Sequence, residues 1–391
     1  MPSDRIYLDH NATTPVDPRV VDAMLPWFTE HYGNAASATH GAGCDAASGA
    51  EMARAPIAHS IKATGKDIIF TSGATEANNL AIQGVARQYA ERGRHIITVA
   101  TEHRATLETC EYLAANGWEI TIVGVNHDGQ VDPSAIAEAI RSDTVLVSVM
   151  LANNEIGTLH DIAAIGKITR ERGVLLHVDA AQAYGKTPID VDALQVDLMS
   201  LSAHKCYGPK GIGALYLRRR EPRVRLQPLL FGGGHERGMR AGTLNVPGII
   251  GFARAGTIAQ NEMATESERI SALKERLWTG LSEVATRRLG HPTACLPGTL
   301  NVIFPGIDAR YLLLETPRVA ASLGAACTSV MPKPSHVLRA IGIDWRTAEG
   351  AVRFSVGRFN TEQEMDEAAQ LITAQVKTLQ ARRAVSVAEP E

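Results

Sequence analysis

The first two thirds of the chain alternate short apolar runs with longer segments in which apolar residues recur at helical spacing. Several of the apolar runs are continuous and rich in Val and Ile, as is typical of strands that are buried on both faces. The intervening segments end at glycine, a frequent helix terminator. This alternation predicts a mostly parallel sheet with helices on both sides. The predicted strands span residues 67–72, 95–101, 119–125, 144–150, 174–180, 197–202 and 213–218.

The pattern changes after about residue 255. A long amphipathic helix is predicted over residues 256–289, followed by a strand at GTLNVIF, a loop with Cys327, a strand at AVRFSVG and a final helix. We therefore expect a large α/β domain over residues 17–255 and a smaller α+β domain formed by residues 1–16 and 256–391. Near the start, an Asp-Pro pair at 17–18 predicts a helix that continues through Phe28.

Charge and composition narrow the range of functions. The 391 residues carry a formal net charge of −3, and 45% of them are hydrophobic. These values are ordinary for a soluble globular protein and give no general attraction to nucleic acid or to anionic membranes. The first residues lack an apolar signal-peptide core, and no apolar run approaches the length of a membrane span. We therefore expect a cytoplasmic protein that does not bind nucleic acid directly.

The chain contains five cysteines, Cys44, Cys110, Cys206, Cys295 and Cys327. Because no two of them stand at C-x-x-C spacing, a zinc or iron–sulfur framework is not supported, and we predict no metal site. Free thiols are mostly packed like small hydrophobic side chains, which is the role expected of the first four. Taken alone, Cys327 is open to four interpretations: a packing residue, a metal ligand, a redox sensor or a nucleophile.

Three groups of polar residues follow predicted strands, at the edge where ligands bind in open α/β sheets. Lys205 follows the strand at 197–202, and a desolvated lysine is able to form a Schiff base. Residues 72–75, SGAT, open a helix whose N–H groups form an anion site. Asp179 ends another strand, where a buried carboxylate needs a cation, and Gln182 lies three residues on. Taken alone, Lys205 also fits an ordinary solvated lysine, and residues 72–75 and Asp179 also fit helix caps.

Taken together, these three groups suggest pyridoxal 5′-phosphate (PLP). This cofactor needs a phosphate anchor, an acidic partner for its pyridinium nitrogen and a lysine for its Schiff base. Residues 72–75, Asp179 and Lys205 supply one of each in a single predicted sheet.

Longer motifs resemble those of the cysteine desulfurases of the NifS/IscS type, in the class V aminotransferase group of fold-type I PLP enzymes. The resemblance implies an α/β protein with the fold of PLP-dependent transferases of type I. Its large domain would contain a mostly parallel seven-stranded sheet, and its smaller α+β domain would carry the catalytic cysteine loop. The motifs cover nearly the whole chain: YLDHNATTP, TSGATEANN, TEHRAT, NNEIG, HVDAAQ, SAHKCYGPKGIGALY, GGGHERGMRAGTLNV, the AAC loop, PSHVLRAIG and VRFSVGRF.

By position in these motifs, the resemblance assigns Lys205 as the Schiff-base lysine, Asp179 as the pyridinium partner and Gln182 as a hydrogen-bond partner of the cofactor's phenolic oxygen. His103 would stack on the cofactor ring and transfer protons. Cys327 would be the catalytic nucleophile. The phosphate would be held by Ala74, Thr75, Ser202 and His204, joined by Thr243 from the neighbouring subunit of a homodimer, and the substrate carboxylate would be bound by Asn154 and Arg353.

The implied activity is that of a PLP-dependent cysteine desulfurase, a sulfurtransferase that converts L-cysteine to L-alanine. Sulfur would pass to Cys327 as a persulfide and then to an acceptor protein, in iron–sulfur assembly or in DNA phosphorothioation, where the family member is DndA. Selenocysteine lyase and a related class V aminotransferase are the alternatives within PLP chemistry. Outside PLP chemistry, the alternative is a non-catalytic sulfur-transfer or cluster scaffold protein. A purified protein without colour would favour this alternative.

Overall fold

The computed structural model describes residues 5–221, 223–323 and 335–388, with side chains up to residue 383. The strands are β1 (Ile6–Tyr7), β2 (Ile68–Thr71), β3 (His95–Val99), β4 (Glu119–Val123), β5 (Thr144–Met150), β6 (Leu175–Asp179), β7 (Leu198–Ser202), β8 (Gly213–Leu217), β9 (Arg287–Leu289), β10 (Thr299–Ile303), β11 (Val319–Ala320), β12 (Ser322–Leu323) and β13 (Ala351–Ser355). The α-helices are α1 (Pro18–Met24), α2 (Pro26–Thr29), α3 (Gly41–His59), α4 (Ala74–Tyr89), α5 (Arg104–Ala115), α6 (Pro133–Ala139), α7 (Ile162–Glu171), α8 (Val246–Leu281), α9 (Ala309–Leu314), α10 (His336–Ala340), α11 (Trp345–Ala348) and α12 (Glu362–Ala388).

The main sheet has seven strands in the order β2-β8-β7-β6-β5-β3-β4. Strand β8 runs antiparallel to β2 and β7, and the other neighbouring pairs are parallel. Every residue of β5, β6 and β7 is buried, which explains their continuous apolar sequences. Only edge strand β4 among the seven has exposed positions. The predicted mostly parallel sheet is therefore confirmed.

Helices cover both faces of this sheet because successive strand residues point to opposite sides. Val147 of β5 packs in one core with Ile57 of α3 and Phe252 of α8. Its neighbour Leu146 packs in a second core with residues of α4, including Leu80. The sheet is thus the middle layer of a three-layer structure. The helices cover its two faces, so a ligand site is expected at the ends of its strands.

A second, mostly antiparallel lobe has its own core. Its four-stranded sheet has the order β12-β13-β10-β9, and the short strands β1 and β11 pair beside it. Leu277 of α8, Val302, Phe354 and Ile372 of α12 are buried together in this core. Ile6 and Leu8 also belong to it. The start of the chain therefore packs with its last third, although the predicted domain limits at residues 16, 17, 255 and 256 remain predictions.

The long helix differs from its prediction at both ends. It begins at Val246, because Asn245 Oδ1 accepts a hydrogen bond from Gly248 N at 3.1 Å and a proline stands in the first turn. It ends at Leu281, and residues 287–289 form β9 by pairing with β10. Helical spacing alone did not reveal this strand, because it is only three residues long. Helix α8 therefore crosses the predicted domain limit.

The first predicted helix is also divided. Asp17 caps it as expected, with Oδ1 accepting from Arg19 N at 2.9 Å. The helix stops after Met24 because Pro26 has no N–H with which to continue the hydrogen-bond ladder.

The cysteines agree only in part with the packing role predicted for them. Cys110 and Cys206 are buried, but Cys44 is exposed.

Within the described ranges, every helix is too short or too polar to cross a membrane.

Candidate active site

A cavity of about 570 Å³ lies where β5, β6 and β7 end and where α4 begins. Its wall includes the last residue of each strand, Met150, Asp179 and Ser202. Ligands bind at this edge of open α/β sheets because the loops there converge around helix N-termini. The predicted site residues that line it are Ala74, Thr75, His103, Asn154, Asp179, Gln182, Ser202, His204 and Lys205.

Lys205 ends a short 3₁₀ turn that follows β7, and its side chain faces the cavity. Burial lowers the pKa of its amine from 10.5 to about 8, although the Asp179 carboxylate opposes this effect. Arg353 adds a smaller repulsion that lowers the pKa further. A substantial fraction of this amine is therefore neutral, and nucleophilic, at mildly alkaline pH.

The Asp179 carboxylate is buried and held in one orientation. Its Oδ2 accepts from Asn78 Nδ2 at 2.7 Å, and its Oδ1 accepts from Ala181 N at 2.9 Å. No arginine or lysine in the described part of the chain forms an ion pair with it. A buried carboxylate of this kind is well suited to pair with a cation supplied by a ligand. Asn78 was not singled out from the sequence, although it lies in the TSGATEANN motif.

The part of the cavity wall formed by the start of α4 and by Ser202 has the properties of an anion site. The 16-residue helix α4 starts there at Ala74, after Gly73 at φ 154°. The Ser202 hydroxyl is buried and has no hydrogen-bond partner among the described residues. His204 Nδ1 lies 3.1 Å from Thr13 Oγ1, and burial with nearby Lys205 lowers the pKa of its ring to about 4. The free helix N–H groups and the Ser202 hydroxyl together are suitable donors for a phosphate.

His103 is both a cavity residue and the N-cap of α5. Its Nδ1 accepts a hydrogen bond from Ala105 N at 3.1 Å, so the neutral ring carries its proton on Nε2. Burial and the charge of Lys205 lower its pKa below 6.5. The preceding Glu102 is fully buried, and burial and the nearby Asp179 raise the pKa of its carboxyl well above the usual value. Both shifts favour the neutral form, that of the His103 ring and that of the Glu102 carboxyl.

Arg353 lies behind the cavity wall and is not part of the lining. It is 1% exposed on β13, and it donates to Asn154 O at 2.9 Å and to Asp9 Oδ1 at 2.7 Å. Its Nε has no partner among the described residues. Asp9 belongs to the YLDHNATTP motif but was missed as a functional residue, because its contact with β13 depends on how the two lobes pack.

Two further predictions are not tested by the cavity. Thr243 is exposed and does not line it in a single chain. A position shared between two subunits is compatible with this exposure, and that role stays a prediction. Cys327 lies outside the described residues, and its role as the nucleophile also stays a prediction.

The described residues fit PLP. The cavity combines a lysine amine of lowered pKa with a buried carboxylate that has no cationic partner, and a buried hydroxyl that has no hydrogen-bond partner, among the described residues. These are the three complements that an aldehyde, a pyridinium nitrogen and a phosphate require. They lie on one edge of one sheet, although they come from segments far apart in the sequence.

Comparisons with known proteins agree with this fit. Residues 6–367 match the aminotransferase class-V family. A cysteine desulfurase IscS of Anaeromyxobacter dehalogenans (strain 2CP-C) is 50% identical over 379 residues, which cover 96% of this chain and 93% of that protein. A solved NifS-like protein superposes with a TM-score of 0.89 at 39% identity, covering 96% of this chain and 99% of that one. The crystal structure of DndA from Streptomyces lividans gives a TM-score of 0.76 at 41% identity, covering 88% of this chain and 97% of that one.

These likenesses extend over both lobes and confirm the predicted fold class. The chain belongs to the aminotransferase class-V family and, within it, to the cysteine desulfurases.

Proposed function

We propose that this desulfurase is PLP-dependent, converts L-cysteine to L-alanine and takes up the sulfur on Cys327. The observation that carries the proposal is the single cavity in which Lys205, Asp179 and the start of α4 meet. A scaffold protein without catalysis has no need of a buried lysine and a buried carboxylate facing the same space.

The residues that would hold the cofactor are those that line the cavity. Lys205 would bind it covalently through Nζ, Asp179 would pair with its ring nitrogen, and Gln182 would donate to its phenolic oxygen. When bound, PLP supplies an electron sink that acidifies the Cα–H bond of an amino acid. Its phosphate would be held by Ala74, Thr75, Ser202 and His204, with Thr243 of the second subunit of a homodimer.

Lys205 and His103 are the residues that would move protons. The Lys205 amine, with its pKa lowered to about 8, accepts the Cα proton in its neutral form and returns a proton later. His103 Nε2 is the ring nitrogen available to the cavity, since Nδ1 is engaged by Ala105 N–H. It would exchange a proton at the sulfur end of the substrate. The lowered pKa keeps this ring neutral near pH 7.

Substrate orientation would depend on Asn154 and Arg353. Arg353 is fixed by two hydrogen bonds, to Asn154 O and to Asp9, and these leave three of its five N–H donors, Nε–H among them, for a substrate carboxylate. A guanidinium held in this way loses little rotational freedom on binding.

The sulfur step balances without an external oxidant. The Cys327 thiolate attacks the substrate sulfur, an S–S bond forms, and the Cβ–S bond of the substrate breaks. The electron pair of that bond stays on the carbon fragment, which gains protons and leaves as alanine. The overall change is cysteine plus thiol to alanine plus persulfide. This role of Cys327 rests on its motif, because the residue is outside the described ranges.

An acceptor protein would then take the persulfide sulfur. The chain is similar to an IscS and to a DndA, so iron–sulfur assembly and DNA phosphorothioation both remain candidate destinations. Cytoplasmic location and the absence of direct nucleic-acid binding are part of the same proposal.

The test is the Cys327→Ser variant, purified with PLP and given L-cysteine. We expect the yellow colour to persist while alanine formation and the protein persulfide are lost. Wild-type protein in the same assay is the reference. Alanine formation at the wild-type rate in the variant, or a wild-type protein that is colourless and inactive, would overturn the proposal.

A further inference from the structure

Lys186 makes two hydrogen bonds directly behind the cavity wall. It follows Gln182 by four residues, and its Nζ lies 3.2 Å from Gln182 Oε1 and 3.3 Å from Asn11 Oδ1. Gln182 lines the cavity, whereas Lys186 does not. Among the described residues, Lys186 therefore reaches the site through Gln182, which faces the cavity.

These contacts fix the orientation of the Gln182 side-chain amide. Both the charged and the neutral form of a lysine amine carry N–H donors, and the Gln182 amide oxygen is the atom that faces Lys186. The amide nitrogen in turn donates to the carbonyl oxygen of Asn11 at 2.8 Å, which only accepts. This hydrogen bond uses one of the two hydrogens on Gln182 Nε2. The second hydrogen has no acceptor among the described residues and is available to a ligand in the cavity.

Hydrogen bonds also fix the orientation of the Asn11 side-chain amide. Its Nδ2 donates to Thr299 Oγ1 at 2.8 Å and lies 3.3 Å from Asn154 O, so Oδ1 is left to accept from Lys186. Asn11 is 4% exposed and Gln182 is 3% exposed, whereas Lys186 is partly buried, so water has little access to two of the three side chains. The hydrogen-bonded chain runs from the small lobe through Asn11 and Lys186 to the cavity.

The surroundings of Lys186 are unfavourable for a charge. Burial lowers its pKa from 10.5 to about 7, and Lys205 and Arg353 act in the same direction. Among the described residues, Cys206 acts in the opposite direction, and His10 is a further titratable ring nearby. An apolar side chain would avoid this desolvation penalty, so the amine must be there for its hydrogen bonds. Charged or neutral, it is able to donate both.

We propose that Lys186 is a positioning residue that fixes and polarises the Gln182 amide, and thereby strengthens its remaining N–H as a donor to the cofactor's phenolic oxygen. Hydrogen bonds in a chain polarise one another, so a donor at Oε1 increases the donor strength at Nε2. The proposal rests on the proposed function, since that function places PLP beside Gln182.

The consequence is a measurable property of the bound cofactor. A stronger donor at an oxygen stabilises the form in which that oxygen carries more negative charge, which is the deprotonated form. Replacing Lys186 by Met removes the donor, and the pH midpoint of the visible absorbance should rise by about half a unit.

The experiment is a double-mutant cycle read by absorbance against pH on PLP-loaded protein. If Lys186 acts through Gln182, Lys186→Met raises the midpoint in the wild-type background and has no effect in the Gln182→Leu background. Lys186→Gln, which keeps a donor without a charge, should give a smaller rise. Lys62→Met is the matched control, because Lys62 is 69% exposed and pairs with Asp190 at the surface.

Two results would overturn the proposal: an unchanged midpoint in Lys186→Met, or an equal rise in both backgrounds, which is the signature of a charge acting through space. Failure of the proposed function would give a different result from these two. In that case the wild-type protein itself shows no visible cofactor band and forms no alanine.

Discussion

Arg353 Nη2 lies 2.7 Å from Asp9 Oδ1, so a residue near the start of the chain neutralises a guanidinium in the last strand of the small lobe. The Arg353 side chain is 2% exposed and that of Asp9 is 20% exposed. The same Asp9 oxygen accepts from Ser322 Oγ at 2.8 Å. One carboxylate thus fixes both the predicted substrate-binding arginine and a residue of β12.

Replacing Asp9 by Ala should destabilise the protein, because it leaves a buried guanidinium without its counter-charge. We expect the free energy of unfolding to fall by about 3 kcal/mol, and Asp9→Asn, which keeps an acceptor, to lose less. Denaturant titration of the cofactor-free protein measures this. Glu283→Ala is the control, since its pair with Lys377 is exposed and contributes little. Equal effects of Asp9→Ala and Glu283→Ala would contradict the argument.

The cofactor-free protein should become more stable, relative to a Lys205→Met variant, as the pH rises from 8 to 10.5. The folded-state pKa of Lys205 is lowered to about 8 from 10.5. Between these values the unfolded chain binds the proton and the folded protein does not, so raising the pH favours folding. Below pH 8 the variant should be more stable than wild type by ~3 kcal/mol, a difference that shrinks towards pH 10.5. Unfolding titrations at pH 7 and pH 10 measure it, and a constant difference would show that the amine is not desolvated.

Asn78→Ala should weaken cofactor binding without unfolding the protein. The change removes the 2.7 Å hydrogen bond to Asp179 Oδ2 and lets the carboxylate turn away from its partner. We expect the affinity of the cofactor-free protein for PLP to fall about tenfold, the value of one hydrogen bond to a charged group. Absorbance titration with PLP gives the affinity. Asn116→Ala, at the exposed end of α5, should leave it unchanged. An unaltered affinity in Asn78→Ala would show that Asp179 is held by other means.

Gly213→Ala should disturb the start of α4 from the neighbouring strand. A Cβ at this position would lie 2.5 Å from Leu201 O and 2.7 Å from Gly73 Cα, both of which are backbone atoms. We expect a loss of ~2 kcal/mol in the free energy of unfolding, together with weaker binding of PLP and of free phosphate. Gly41→Ala is the matched control, because its Cβ would meet nothing within 4 Å. Phosphate and PLP affinities equal to wild type in Gly213→Ala would contradict a close fit at this turn.

Residues at the ends of strands were predictable from the sequence. Asp179 and Lys205 follow apolar runs that had to be buried strands, and parallel strands bring their ends to one edge. The same local patterns located the sheet and its strands to within a few residues. The specific roles of His103, Gln182 and His204 came from the resemblance, since nothing in their spacing alone requires them to meet.

Residues that act across the two lobes could not be found in this way. Asp9, Asn11 and Lys186 gain their partners only when the first residues of the chain pack between the lobes. Their polar character is compatible with a surface loop, and periodicity carries no information on such contacts. The start of α8 was missed for a related reason. Its first turns are rich in Gly and Ala, so that apolar spacing is weak where the helix packs on the sheet.

Helix α8 is a single 36-residue rod with one end in each core, carrying Phe252 in the first and Leu277 in the second. Such a rod, ~54 Å long, has no joint at which the lobes can part. Displacing one lobe from the other would require the helix to bend or a core to open. Damage to the packing around Leu277 should therefore be transmitted to the cavity edge, and the two cores should melt together as one cooperative unit.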